Sequence, residues 1–130
     1  MNERNDPNVP PAVPMSAADE RNWAMGCHLS TFAGYVVPVP FANVFAPLIL
    51  WHIKRTASPF VDAHGREALN FQISMTIYVL ASVPLIFLCG IGIILILGLS
   101  IADAILTIIA ALNASSGKPY RYPMCMRFVK

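Results

Sequence analysis

The hydrophobic positions of this chain fall into four blocks, separated by proline, glycine and charge. Residues 1–18 are polar and proline-rich (Pro7, Pro10, Pro11, Pro14). They have little to bury and read as a disordered N-terminal tail. Order is expected to begin at Asp19-Glu20-Arg21-Asn22-Trp23, where Ser16 or Asp19 can cap a helix and first-turn acids suit its dipole. From Asn22 to Ile53 there is no Asp, Glu, Lys or Arg. That run of about thirty residues exceeds one comfortable span of about twenty. Pro38 and Pro40 interrupt it, since proline lacks a backbone donor and clashes with the preceding turn. The pattern predicts two short segments, 23–37 and 42–53, meeting at Val37-Pro38-Val39-Pro40.

Lys54-Arg55 ends that run and opens a charged stretch to Glu67. Ser58-Pro59 reads as a helix start, with serine as N-cap and proline as first helical residue, and Asp62 is a competing cap. The third segment runs from there to about Leu88, amphipathic at first, then apolar, with Pro84 as a kink. Cys89-Gly90-Ile91-Gly92 is an uncharged turn. A last helix runs from about Ile93 to Leu112, and residues 118–130 form a basic, aromatic C-terminal tail. The expectation is an all-α integral membrane bundle in which residues 19–117 make four membrane segments, the first two short.

Composition sharpens this picture. The 130 residues are 56% hydrophobic and only 12% charged, against about 25% charged in ordinary soluble domains. A small soluble domain leaves much of its surface exposed and could not hide so much apolar area, so the lipid bilayer is the expected surrounding. With four segments, Arg4, Arg21, Lys54, Arg55, Arg66, Lys118, Arg121, Arg127 and Lys130 all fall on one side, and the positive-inside rule puts both termini in the cytoplasm. Fusing 23–53 into one broken span would split these charges across the membrane. If the two short segments instead form a re-entrant hairpin, protein must cover the broken backbone. The net charge of +2, without a basic run interleaved with aromatics, argues against nucleic acid as a partner. Cys27, Cys89 and Cys125 are scattered and odd in number, as expected of free thiols rather than a disulfide framework or zinc site.

Four groups of residues could carry chemistry. Asp103 lies in the middle of the last apolar helix, where a carboxylate costs about 2.5–3.5 kcal/mol on insertion scales. It should face the bundle. Depth matching at about 1.5 Å per residue makes Thr31, Tyr78 and, more loosely, His28 and Tyr35 its candidate partners. Such a site is either a proton or cation relay or a hydrogen-bonded packing residue. His64, Glu67, Asn70 and Ser74 share one helix face. That face either lines a water-filled vestibule or a metal site, with Glu67 near His28, or meets lipid headgroups. Lys54, Arg55, Tyr120, Arg121, Tyr122 and Arg127 combine charge with aromatic rings, as in anionic-lipid or partner contacts. Gly98 and Ala102 form a small-xxx-small pair suited to close helix approach, within the bundle or between copies. Met124-Cys125-Met126 offers soft ligands, but no metal site or cofactor is expected from it. No Gly-x-Ser-x-Gly, His-Glu-x-x-His or P-loop is present, so no catalytic residues are assigned and an enzyme is not expected.

Several phrases together resemble a known family: Glu20-Arg21-Asn22-Trp23-Ala24-Met25, Cys27-His28-Leu29-Ser30, Ala46-Pro47-Leu48-Ile49 with Trp51 and Lys54-Arg55, Phe60-Val61-Asp62 through Ser74, Thr107 to Ala111, and Tyr120-Arg121-Tyr122-Pro123. They resemble the small bacterial membrane proteins of domain of unknown function 4870, grouped with the twenty-kilodalton Tic component of chloroplast import. The resemblance implies four membrane helices and a bacterial inner (cytoplasmic) membrane location. It implies no activity, because the bacterial members have none agreed. The resulting expectation is a non-enzymatic accessory or assembly subunit acting through helix contacts, as a homo-oligomer or within a larger membrane complex. The alternative is a small channel or transporter component with a polar path near Asp103.

Overall fold

A computed structural model describes residues 13–130; most of the expected N-terminal tail lies outside the described residues. Helix α1 spans Ala17–Leu29, and a short 3-10 turn over Ser30–Phe32 leads to the single-turn α2, Ala33–Val36. Helix α3 spans Ala42–Lys54, α4 Pro59–Ser82 and α5 Ile91–Ser115. No strand occurs among the described residues.

The element boundaries follow local chemistry. Ser16 accepts the Asp19 N–H at 3.1 Å, which starts α1 two residues before the predicted Asp19. Val37 is extended (φ −95°, ψ 121°), as the residue before a proline must be, and this ends α2. Ser58 accepts the Val61 N–H at 3.3 Å with Pro59 in the first turn. The same hydroxyl donates to Glu20 Oε1 at 2.7 Å, tying the start of α4 to α1. Pro84 ends the α-helical part of the third segment, which continues as a 3-10 turn over Pro84–Phe87. Cys89 and Gly90 then take positive φ (54° and 74°) to reverse the chain into α5.

Only two stretches among the described residues are long and apolar enough to cross a membrane, Pro59–Phe87 and Ile91–Ser115; the expected four membrane segments are not present there. Helix α3 has 13 residues, about 20 Å at about 1.5 Å per residue, too short for a hydrocarbon core of about 30 Å. The α1–α3 hairpin leans on the α4–α5 pair. Its turn residue Phe41 shares a cavity with Leu80 and Leu99, well short of the α4–α5 turn. Close approach is made possible where Gly65 of α4 lies directly under the Trp51 ring, with no room for a Cβ.

Helix α5 buries one stripe, Asp103, Thr107, Ala110, Ala111 and Ala114. Its other faces expose Ile94, Leu97, Ile101, Ile105, Ile108 and Leu112. The core cluster contains Phe71 and Met75 of α4, Ala110 of α5 and, from the tail, Tyr122. The tail is therefore anchored to the fold by Tyr122.

Candidate functional site

A chain segment without regular structure carries backbone donors and acceptors that need partners wherever water is excluded. The tail finds them on one face of α4. Glu67 Oε2 accepts the Tyr122 N–H at 3.2 Å, and Ser74 Oγ accepts the Met126 N–H at 2.8 Å. Asn70 Oδ1 accepts the Phe128 and Val129 N–H groups at 2.9 and 2.7 Å, while Asn70 Nδ2 donates to the Val129 carbonyl at 2.9 Å. Tyr78 donates to the Met124 carbonyl at 2.8 Å, and Arg127 pairs with Glu67 at 3.0 Å. The tail runs down α4 from the level of His64 to that of Tyr78, turns at Pro123-Met124 (Met124 φ 52°) and returns to Asn70. The polar face thus holds a segment of its own chain, and His64, Glu67 and Asn70 also line a cavity beside it.

At the charged end of this face lies a buried chain of three side chains. His64 Nε2 is 3.0 Å from the Lys118 carbonyl oxygen. A carbonyl only accepts, so this nitrogen carries the proton of a neutral ring. His64 Nδ1 is then bare and accepts from His28 Nε2 at 2.9 Å. His28 Nδ1 is bare in turn and accepts the Tyr122 hydroxyl proton at 2.9 Å. One backbone carbonyl thereby orients the entire chain. Tyr122 is only 3% exposed and stacks on Phe71 with centroids 3.9 Å apart and planes within 10°. Burial pushes its phenol far above the usual range, which keeps it a neutral donor.

The second cluster surrounds Asp103. Gln72 Nε2 donates to Oδ1 at 2.7 Å and the Tyr35 hydroxyl to Oδ2 at 3.2 Å. Asn43 Nδ2 donates to Gln72 Oε1 at 3.0 Å and reaches Thr76 Oγ1 at 3.2 Å, so the Gln72 amide is turned with its NH₂ toward the carboxylate. Thr107 Oγ1 donates to Asp103 Oδ1 at 3.4 Å. Asp103 also lines a cavity of about 280 Å³ with Tyr35, Asn43, Gln72 and Ser100. A second cavity, of about 410 Å³, opens beside His64, Arg66, Glu67, Arg121 and Arg127. No buried side-chain nitrogen or oxygen among the described residues lacks a partner.

Asp103 meets Tyr35, but it does not meet Thr31, Tyr78 or His28. Thr31 donates to the His28 carbonyl at 2.8 Å, Tyr78 reaches the tail, and His28 belongs to the histidine pair. Depth counting misplaced the partner because depth along α4 runs from the helix start at Pro59, not from the end of the charged stretch. Asp103 lies twelve residues inside α5 from Ser115, and Gln72 thirteen inside α4 from Pro59. His28 meets His64 rather than Glu67. Of the expected lipid-facing group, Tyr122 is turned inward and Arg127 is paired with Glu67. Lys54 lies over Trp23 at 5.2 Å and Arg55 over Trp51 at 5.0 Å. Tyr120 packs edge-on against Tyr122 at 5.0 Å, and Arg121 is exposed. A methyl group placed on Gly98 would touch nothing, so this glycine serves no close helix contact within the bundle. Among the described residues, no three His, Cys, Asp or Glu side chains converge as metal ligands would.

In comparison with known proteins, residues 19–129 match the magnetosome magnetite crystal formation protein family (MamF/MmsF). No curated protein and no solved structure matches. The finding corrects the resemblance drawn from the shared phrases. The family is this one, not domain of unknown function 4870 or relatives of the Tic component, and those phrases fall within the matched residues.

Proposed function

The chain belongs to the magnetosome magnetite crystal formation protein family, and from that premise we propose that it is a non-enzymatic accessory protein embedded in the magnetosome membrane. It takes part in crystal formation through contacts with copies of itself or with other membrane proteins of that compartment. The observation that carries this reading is the outward apolar surface of α5. Ile94, Leu97, Ile101, Ile105, Ile108 and Leu112 are each 48–73% exposed, and such a stripe is stable only against lipid or another helix. Gly98 lies on an exposed part of the same helix and permits close approach of a neighbour. The basic residues Lys54, Arg55, Arg66, Lys118 and Arg121 gather at the end where α4 begins and α5 finishes. The positive-inside rule turns that end to the cytoplasm, with α4 and α5 spanning and the α1–α3 hairpin re-entrant.

The test is a carbonate wash of isolated magnetosomes combined with removal of the gene. A membrane-embedded accessory protein stays with the washed membrane, and crystals grown without it differ in size or number under the electron microscope. Release by carbonate, or unchanged crystals, would refute the reading.

A further inference from the structure

The cavity beside His64 differs in charge from the one beside Asp103. Its charged lining is Arg66, Arg121 and Arg127 against the single carboxylate of Glu67, a net of +2, and Asp62, the partner of Arg66 outside the lining, brings this to +1. His64 adds no charge, because its neutral ring donates the Nε2 proton to the Lys118 carbonyl. We infer that this cavity binds the phosphate group of one anionic phospholipid.

The two nearby carboxylates are already engaged. Asp62 accepts from Trp51 Nε1 at 2.8 Å through one oxygen and pairs with Arg66 through the other. Glu67 Oε2 accepts from Arg127 at 3.0 Å and from the Tyr122 N–H at 3.2 Å. Each ion pair occupies one nitrogen of a guanidinium that carries five N–H donors, so Arg66 and Arg127 keep donors for a further acceptor. Arg121 is exposed, and no carboxylate among the described residues pairs with it. Planar guanidinium forks match the oxygens of a phosphate.

The rest of the lining favours a lipid over a free phosphate ion. Phe60, Ala63, Pro119 and Val129 are apolar; they gain nothing from an inorganic ion but can cover the glycerol and first methylenes of a lipid. The volume of about 410 Å³ lies low in the range of about 300–1,000 Å³ typical of small-molecule sites, enough for a headgroup with the acyl chains left in the bilayer. Depth agrees. Pro59–Phe87 has 29 residues, about 43 Å at about 1.5 Å per residue, against a hydrocarbon core of about 30 Å. The helix therefore begins in the headgroup layer, and its first turns, Phe60 to Asn70, line the cavity. The site rests on the membrane reading above, in which this end faces the cytoplasm, where basic pockets between helices hold anionic headgroups. It is narrower than the expected surface anchor, since Tyr122 is buried and Lys54 and Arg55 lie over Trp23 and Trp51.

The experiment titrates the full chain, in mild non-ionic detergent and about 150 mM ammonium acetate, where charges are screened beyond about 8 Å. The ligands are phosphatidylglycerol, phosphatidylcholine with the same acyl chains, and inorganic phosphate, and native mass spectrometry reads what is bound. One phosphatidylglycerol per chain should be retained, at least about fivefold more tightly than phosphatidylcholine, the scale of one basic residue beside an anionic lipid. Arg121→Gln should weaken it about fivefold. Ala63→Trp, at an exposed position of the lining, fills the cavity with every charge kept and should remove most of the binding. Lys118→Gln removes an exposed charge outside the lining and should weaken binding by less than about twofold. Circular dichroism checks that each variant folds. Equal affinity for the two lipids overturns the site, as does a folded Arg121→Gln or Ala63→Trp that binds phosphatidylglycerol like wild type. Lys118→Gln as damaging as Arg121→Gln would replace the site by general surface charge. Inorganic phosphate bound as tightly as phosphatidylglycerol would assign the arginines to a soluble phosphate and overturn the lipid. Flotation with vesicles of the two lipids tests the membrane reading apart. A chain that floats but does not discriminate between the lipids loses the site alone, and one that fails to float loses both.

Discussion

Replacing Asn70 by alanine removes the group that does most to hold the tail. Its amide accepts two backbone N–H groups and donates to one carbonyl, all at 2.7–2.9 Å. A typical hydrogen bond contributes about 0.5–1.5 kcal/mol net, and a buried donor left alone costs about 1–3 kcal/mol. The end of the tail is partly solvated, so water recovers part of the loss. A loosening of about 2–4 kcal/mol is the expected magnitude. If docking of the tail limits amide exchange, that is an acceleration of about thirtyfold to several hundredfold, at about 1.4 kcal/mol per factor of ten. Hydrogen–deuterium exchange of the detergent-solubilised protein, read by mass spectrometry, resolves it. Peptides covering 126–130 should exchange faster, while those covering the Leu69–Met75 core should not. Asn70→Asp keeps an acceptor for both N–H groups but sets a second oxygen against the Val129 carbonyl, and two acceptors repel, so it should also loosen the end of the tail. Unchanged tail exchange in Asn70→Ala would refute the reasoning. Equal acceleration in the core would show that Asn70 stabilises the bundle rather than the tail.

Other substitutions test the packing around it. Tyr122→Phe removes one hydrogen bond to His28 and should lower stability by about 1 kcal/mol. Tyr122→Ala empties the stacked site on Phe71 and should cost about 3–5 kcal/mol. Both are measurable by thermal unfolding in detergent, and similar losses from the two variants would contradict the stacked geometry. Gly65→Ala drives a methyl group into the Trp51 ring and should destabilise by about 1–3 kcal/mol; a neutral result would mean that α3 and α4 are further apart. Cys89 is exposed at the α4–α5 turn and Cys27 is fully buried. In intact vesicles a membrane-impermeant maleimide should label Cys89 only from the side opposite the basic tail, and labelling from the same side would reverse or abolish the two-span topology.

The sequence makes some of this structure plain and hides the rest for physical reasons. Ser58-Pro59 and the Pro38/Pro40 break are local signals that start or end an element where it was expected, and Pro84, expected as a kink, ends the α-helix instead. Their range is a few residues, which is why helix boundaries could be read. Whether the helices cross a bilayer depends on length as well as apolarity, and α3 is apolar but short. The pairing of Asp103 with Gln72 depends on how far two distant helices extend. An error of a few residues in either end shifts the match by a turn. The tail is the clearest case. Tyr120-Arg121-Tyr122 looks like a surface anchor by composition, and nothing local marks Tyr122 as buried. The one available clue is the spacing of His64, Glu67, Asn70, Ser74 and Tyr78. These polar groups on one face of an otherwise apolar helix require partners, and an irregular segment with unmatched backbone groups supplies them.

The most direct test of a tail folded into the bundle is nuclear magnetic resonance of the detergent-solubilised protein. With Phe71 and Tyr122 stacked 3.9 Å apart, their ring protons should show strong mutual nuclear Overhauser cross-peaks, and the Tyr122 signals should move upfield through the ring current. Tyr122 signals at their unfolded positions, with cross-peaks to detergent chains instead of Phe71, would show that the tail lies on the membrane surface and that the polar face of α4 faces something else.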